Sequence, residues 1–137
     1  FASRRGLWKL GAFVATANFM SVVAWTDGSL HFVGIGASGY TWAARSSAGA
    51  VSTTVWHHIA AVRRADDIWL YVDGALVASA TATGTPATVK QLIVGMGTDG
   101  FQSYMKGYID EMRVRRGTAV YTAPFTPPAG PFTYLAP

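Results

Sequence analysis

Apolar and polar residues alternate with a period of two along most of this 137-residue chain. In Ile68–Asp73, for example, Ile68, Leu70 and Val72 alternate with Trp69, Tyr71 and Asp73. Successive side chains of a β-strand point to opposite faces, so this period predicts strands and not helices. Comparable short runs lie at residues 7–15, 20–25, 29–35, 40–45, 55–63, 67–73, 75–80, 90–95 and 107–115.

Turn signals separate these runs and narrow the architecture. Asp27-Gly28 and Asp73-Gly74 each lie between two runs, which is the strongest local signal for a β-hairpin. Many short strands joined by glycine-rich turns, with no internal repeat, predict an all-β fold of two antiparallel sheets, a β-sandwich or jelly roll. We expect one domain at residues 1–120. Residues 121–137 hold five of the six prolines, so we expect them to run extended across its surface.

Composition excludes several classes of protein. The chain has no cysteine, which rules out a disulfide framework and a thiolate metal site. No apolar run approaches the ~18 residues of a membrane-spanning helix. The net charge is +4, but the basic residues are spread along the chain, so the sequence does not indicate a nucleic-acid partner.

The residue types needed for catalysis are sparse, and we expect neither a catalytic residue nor a cofactor. Glu111 is the only glutamate, and its neighbour Asp110 would lie on the opposite face of a strand. Two G-x-G-x-x-G matches, beginning at Gly34 and Gly95, are not followed by a helix pattern that could meet a dinucleotide. His57 and His58 would point to opposite faces of a strand, so the two could not bind one metal ion together. A calcium ion held near Asp27 or Asp99 stays open as an alternative, although neither loop has the acidic spacing of an EF-hand.

Two sets of residues are candidates for a binding surface. Trp69 and Tyr71 would share the face opposite the aliphatic side of their strand, where aromatic rings could stack on a sugar or a protein partner. Alternatively, the aromatic side faces the core, or the proline-rich segment covers it. Arg113, Arg115 and Arg116 form a basic cluster suited to phosphate or an acidic polysaccharide. The simpler interpretation is a solvated strand face, with Arg113 or Arg63 paired to nearby acids.

Five ordered blocks resemble a known family. They are Trp56-His57-His58-Ile59-Ala60, Leu70-Tyr71-Val72-Asp73-Gly74, Leu92-Ile93-Val94-Gly95, residues 107–114 and residues 117–128. Together they resemble the laminin-G-like branch of the concanavalin A-like lectin/glucanase superfamily. The resemblance implies a two-sheet jelly roll with Trp56, Ile109 and Met112 in the core. It also implies that the opening strand is missing, supplied by a longer chain or by β-addition from a partner.

The Tyr-Thr-Ala-Pro-Phe-Thr-Pro-Pro block is similar to domains of bacteriophage virion proteins, such as tail fibres and capsid decorations. The resemblance therefore implies a non-catalytic structural or adhesion module of a virion, which assembles with virion proteins, self-associates or attaches to glycans. The alternative is a carbohydrate-binding module of a secreted bacterial enzyme.

Overall fold

The computed structural model describes residues 5–11, 19–35, 41–83, 92–96 and 104–132. These residues contain eight strands and no helix. The strands are β1 (Arg5–Gly11), β2 (Phe19–Ala24), β3 (Leu30–Ile35), β4 (Thr41–Arg45), β5 (Ile59–Arg64), β6 (Asp67–Val72), β7 (Ala75–Thr81) and β8 (Leu92–Val94). The described part of the chain includes no helix long and apolar enough to cross a bilayer.

The strands form two antiparallel sheets. The larger has the order β4-β3-β2-β1-β8, and the smaller is the meander β5-β6-β7. The smaller sheet packs through β6 and β7 against β4, the edge strand of the larger sheet. The predicted two-sheet antiparallel β-sandwich is therefore confirmed.

The core lies between the sheets and follows the period-two pattern. Alternate residues of β6 project into it, and Ile68 and Leu70 are fully buried. Phe32 and Trp42 meet edge to face with ring centroids 5.0 Å apart, a favoured aromatic geometry. A Cβ at Gly34 would overlap the Trp42 ring, so glycine lets the indole lie against β3. The buried cluster consists of Val22, Leu30, Phe32, Trp42, Ala44, Ile68, Leu70, Val72 and Ala82.

Both predicted Asp-Gly turns are confirmed. Between β2 and β3, the Asp27 carboxylate accepts hydrogen bonds from the backbone N–H and hydroxyl of Ser29, at 2.9 and 2.7 Å. Between β6 and β7, Asp73 and Gly74 have φ values of 50° and 80°. Positive φ at both central residues is the requirement of a tight hairpin turn whose twist matches its strands.

The predicted strand at residues 107–115 is absent. Ile109 and Met112, expected in the core, are 41% and 38% exposed. Trp56, expected to begin a strand and fill the core, is 68% exposed and precedes β5. A segment with a period-two pattern forms a strand only when an adjacent strand supplies hydrogen-bond partners for its backbone. Among the described residues, none supplies them to residues 107–115.

The first part of the proline-rich segment packs on the smaller sheet. The backbone N–H of Phe125 donates to the Gly74 carbonyl at 3.0 Å. The rings of Tyr121 and Phe125 stack with centroids 3.6 Å apart, and Phe125 lies 5.5 Å from the Tyr71 ring. The segment is thereby attached to the β6–β7 turn. The predicted domain boundary after residue 120 stays a prediction.

Candidate functional site

The two candidate aromatic residues on the outer face of the smaller sheet differ in their exposure to solvent. Tyr71 is fully buried because Phe125 covers its ring, and this burial raises the pKa of the Tyr71 phenol. Trp69 lies outside this cover and is half-buried. Of the alternatives that the sequence left open, cover by the proline-rich segment therefore holds for Tyr71, and the open aromatic face does not. Trp69 alone presents an indole at this surface.

Arg64 accompanies Trp69 on this face. Trp69 pairs with Val62 across β5 and β6, and Arg64 lies two residues further along β5 on the same side. Its guanidinium carbon lies 5.1 Å from the centroid of the Trp69 ring. The Arg64 side chain is 58% exposed, and its Nη2 forms a long ion pair with Asp67 Oδ2 at 3.9 Å. The guanidinium thus lies against the indole and still presents donors to solvent.

Arg63 points the other way and fixes the turn that follows. It pairs with buried Ile68, and its guanidinium carbon lies 5.6 Å from the centroid of the Trp42 ring. Its Nε donates to the Ala65 carbonyl and its Nη2 to the Ala82 carbonyl, both at 2.9 Å. Because the side chain is only 10% exposed, it acts as an internal brace that holds the β5–β6 turn beside Arg64.

A cleft of about 260 Å³ opens at this turn. Residues 63–65 line it from the end of β5, and Arg115 and residues 117–119 line it from the later segment. Arg64 therefore belongs both to the cleft and to the Trp69 surface. Within the described part of the chain, Arg115 makes no ion pair or hydrogen bond, so its guanidinium is available to a ligand. We call Arg64, Trp69, Arg115 and the cleft wall at residues 117–119 the arginine–tryptophan surface.

The predicted basic cluster is divided in the structure. Arg115 lines the cleft, whereas the Arg113 guanidinium carbon lies 5.1 Å from the centroid of the Phe132 ring. Arg116 is exposed and is not among the lining residues. The nearby acids do not pair with these arginines. Asp110 accepts the backbone N–H of Glu111, and Glu111 accepts that of Phe132, each at 2.8 Å.

Asp73, His57 and Ser52 form a connected set that the sequence did not suggest. His57 Nδ1 lies 2.8 Å from Asp73 Oδ2, and the His57 Nε2 lies 3.3 Å from the Ser52 hydroxyl. The Ser52 backbone N–H also donates to Nε2 at 3.0 Å, which places the ring proton on Nδ1. Since that N–H occupies the Nε2 lone pair, His57 is not placed to deprotonate Ser52. The set ties the loop before β5 to the Asp73–Gly74 turn.

The Asp73 carboxylate also accepts the backbone N–H of His58 at 2.8 Å. Burial alone would raise the pKa of Asp73, but the hydrogen bonds with His57 and His58 outweigh it and hold the pKa below its usual value. Asp73 therefore stabilises the fold in its charged form.

The structure describes one of the two weak calcium candidates, Asp27. Asp27 is engaged by Ser29, whose backbone hydrogen bond is the main cause of a lowered Asp27 pKa. Asp99 lies outside the described residues. In the ranges that the structure describes, no three His, Cys, Asp or Glu side chains converge as they would around a metal ion.

Arg64 is a residue of this surface that the sequence analysis does not predict. The signal was present, since the turn at residues 65–66 and the alternation of β5 place Arg64 diagonally from Trp69. The contribution of Arg115 had no such signal, because nothing local brings residue 115 back to β5.

Comparison with known proteins agrees with this fold. A solved structure titled Ruminococcus gnavus IT-sialidase CBM40 has a TM-score of 0.59 and 12% sequence identity, covering 74% of this chain and 60% of that one. The S-layer domain-containing protein of Clostridium thermocellum (residues 221–444) has a TM-score of 0.45 and 21% identity, covering 87% of this chain and 59% of that one. The chain thus spans about three-fifths of either neighbour.

No curated protein matches the sequence. The Laminin_G_3 family model, described as concanavalin A-like lectin/glucanases superfamily, matches residues 5–119. That match spans both sheets and the cleft, and it agrees with the two-sheet antiparallel architecture. The chain therefore belongs to the laminin-G-like family of the concanavalin A-like lectin/glucanase superfamily.

Proposed function

We propose that this domain is a non-catalytic carbohydrate-binding module that acts outside the cell. The observation that carries the proposal is the arginine–tryptophan surface, where a half-buried indole and an exposed guanidinium lie beside a cleft. A sugar ring presents apolar C–H groups that can stack on an indole, and its hydroxyl oxygens can accept hydrogen bonds from a guanidinium. The solved neighbour whose title names a carbohydrate-binding module supports the proposal through its shared fold.

The chemistry of the polar groups supports a role without catalysis. Glycoside hydrolysis commonly needs two carboxyl groups flanking one bond. Here Asp110 accepts the backbone N–H of Glu111, Glu111 accepts that of Phe132, and Asp73 is hydrogen-bonded to His57. The hydrogen bonds of Ser52, His57 and Asp73 likewise hold the loop before β5 against the β6–β7 turn. These groups stabilise the scaffold that carries the arginine–tryptophan surface.

Titration against a panel of soluble polysaccharides tests this proposal. Trp69→Ala removes the indole, and we expect loss of at least about fivefold in affinity for any glycan the wild type binds, as stacking of ~1–3 kcal/mol predicts by analogy with base stacking. Trp56→Ala is the matched control, because Trp56 is exposed and precedes β5, at the opposite end of that strand from Arg64. Unchanged affinity in Trp69→Ala, with both variants folded by circular dichroism, would refute the proposed site.

A second candidate is a structural or adhesion module of a bacteriophage virion. The observation that favours it is the segment at residues 107–115, whose side chains Tyr108, Ile109, Met112 and Val114 are 84%, 41%, 38% and 53% exposed. Within this segment the backbone N–H of Glu111 donates to the Asp110 carboxylate. No other hydrogen bond joins the backbone of residues 107–115 to a described group. An added strand from another virion protein or a second copy would satisfy those backbone groups and cover the apolar side chains.

Hydrogen exchange on concentrated protein and on assembled particles tests this second candidate. Assembly by strand addition predicts that the amides of residues 107–115 become protected when the partner is present. If the chain is absent from purified particles, and these amides stay unprotected at every protein concentration, the virion role is refuted. Glycan binding by the arginine–tryptophan surface would be unaffected by that result.

A further inference from the structure

The arginine–tryptophan surface carries more positive charge than a neutral sugar requires. Two arginines from distant parts of the chain, Arg64 and Arg115, line the same cleft. Arg64 has a weak partner, with Asp67 Oδ2 at 3.9 Å. Arg115 has no acidic partner among the described residues. Asp66 Oδ1 lies 3.8 Å from Arg63 Nη2. Asp66 belongs to the β5–β6 turn and does not line the cleft.

The planar guanidinium group matches a carboxylate or sulfate through paired hydrogen bonds. Charge-assisted hydrogen bonds of this kind are stronger than those to a hydroxyl oxygen. The cleft wall also offers the Thr118 hydroxyl, which can donate to an anionic oxygen. A cleft of about 260 Å³ can hold one such group, and the Trp69 indole lies against Arg64, which lines the cleft.

We propose that the ligand of this surface is an acidic saccharide, whose carboxylate or sulfate group is held by Arg64 and Arg115 while its sugar ring stacks on Trp69. This inference rests on the proposed carbohydrate binding and adds the chemical class of the ligand. Arg63 is a positioning residue here, since its bonds to Ala65 and Ala82 hold the turn that presents Arg64. Trp69 supplies the ring contact that neutral and acidic glycans would share.

Binding to matched pairs of polysaccharides tests the inference. Polygalacturonate and its fully methyl-esterified form share a backbone and differ in the carboxylate. Kappa-carrageenan and its chemically desulfated form share a backbone and differ in the sulfate. We expect the charged member of at least one pair to bind about tenfold more tightly or better, with affinity falling as salt rises. The two pairs distinguish a carboxylate ligand from a sulfate ligand.

Arginine variants locate the anion. Arg64→Gln and Arg115→Gln each remove a charge from the cleft, and we expect each to weaken binding of the charged glycan about tenfold. Arg45→Gln is the matched control, because Arg45 is exposed on β4 in the other sheet. Arg64→Lys keeps the charge but not the paired donors, so we expect a smaller loss. All of these side chains are exposed, and thermal melting checks that each variant folds.

The outcomes separate this inference from the proposed function. Equal binding of both members of each pair, reduced by Trp69→Ala, overturns the acidic ligand and keeps carbohydrate binding. Preference for charged glycans that neither Arg64→Gln nor Arg115→Gln changes overturns the site. Absence of binding to every polysaccharide overturns both proposals.

Discussion

Gly74 should be far less tolerant of alanine than Gly49, although the two have nearly the same backbone conformation. Their φ values are 80° and 74°, so a side chain at either position costs about 1–2 kcal/mol of backbone strain. A Cβ at Gly49 meets nothing within 4 Å. A Cβ at Gly74 would overlap the carbonyl oxygen of Phe125. Gly74→Ala must therefore displace the proline-rich segment, whereas Gly49→Ala need not.

The size of the difference follows from what that displacement breaks. The hydrogen bond from Phe125 N–H to the Gly74 carbonyl contributes about 1 kcal/mol. The half-buried Phe125 ring contributes about 1–1.5 kcal/mol, roughly half the value for a fully buried phenylalanine. Because the strain is common to both variants, we expect Gly74→Ala to be about 2–2.5 kcal/mol less stable than Gly49→Ala.

Urea denaturation of the wild type and both variants measures this difference directly. Limited proteolysis gives a second readout, since release of residues 121–132 in Gly74→Ala should expose them to cleavage. If the two variants unfold within about 0.5 kcal/mol of each other and the segment stays protected, the contact between turn and segment does not stabilise the domain.

Four further outcomes follow from the structure. Tyr71→Phe should change the unfolding free energy by less than about 1 kcal/mol, because the buried Tyr71 hydroxyl has no hydrogen-bond partner among the described residues; a loss above 2 kcal/mol would reveal one. Asp73 has a lowered pKa in the fold, so its stabilising effect is present above pH 3.8 and is lost as the pH falls through the folded pKa; Asp73→Asn should therefore flatten the fall in melting temperature between pH 5 and 2, and an unchanged slope would contradict this. Trp56→Ala should cost under about 1 kcal/mol because the indole is 68% exposed, and a cost of ~3–5 kcal/mol would instead place it in a core. In the isolated chain, the amides of residues 107–115 should exchange much faster than those of β6, and equal protection would mean that the segment is paired.

The sequence predicted most of the scaffold because the decisive interactions are local. Alternation marked the eight strands, and the Asp-Gly pairs marked two hairpins whose positive φ values glycine accommodates. The same alternation failed at residues 107–115. Pattern alone reports which residues suit a strand, but a strand forms only when a neighbour is present to pair with it.

The candidate site was less accessible from sequence because it depends on long-range contacts. Trp69 was identified from its strand face, yet the burial of Tyr71 depends on Phe125, which lies 54 positions later. Arg115 lines the cleft because of the path of a segment without regular secondary structure, and no local sequence pattern predicts that path. The pairing of His57 with Asp73 likewise joins a loop to a turn. Each of these contacts follows from the assembled sandwich and not from the spacing of the residues.

The chain contains five tryptophans, so fluorotryptophan labelling gives a direct view of the surface that we propose binds carbohydrate. The central measurement is a ¹⁹F NMR titration of the labelled chain with polygalacturonate and kappa-carrageenan, with signals assigned from single Trp→Phe variants. If the arginine–tryptophan surface binds these glycans, the Trp69 signal shifts and saturates with at least one of them while the Trp56 signal stays in place. Saturating shifts at another tryptophan with Trp69 unchanged would contradict binding at this surface, as would no shift at any of them.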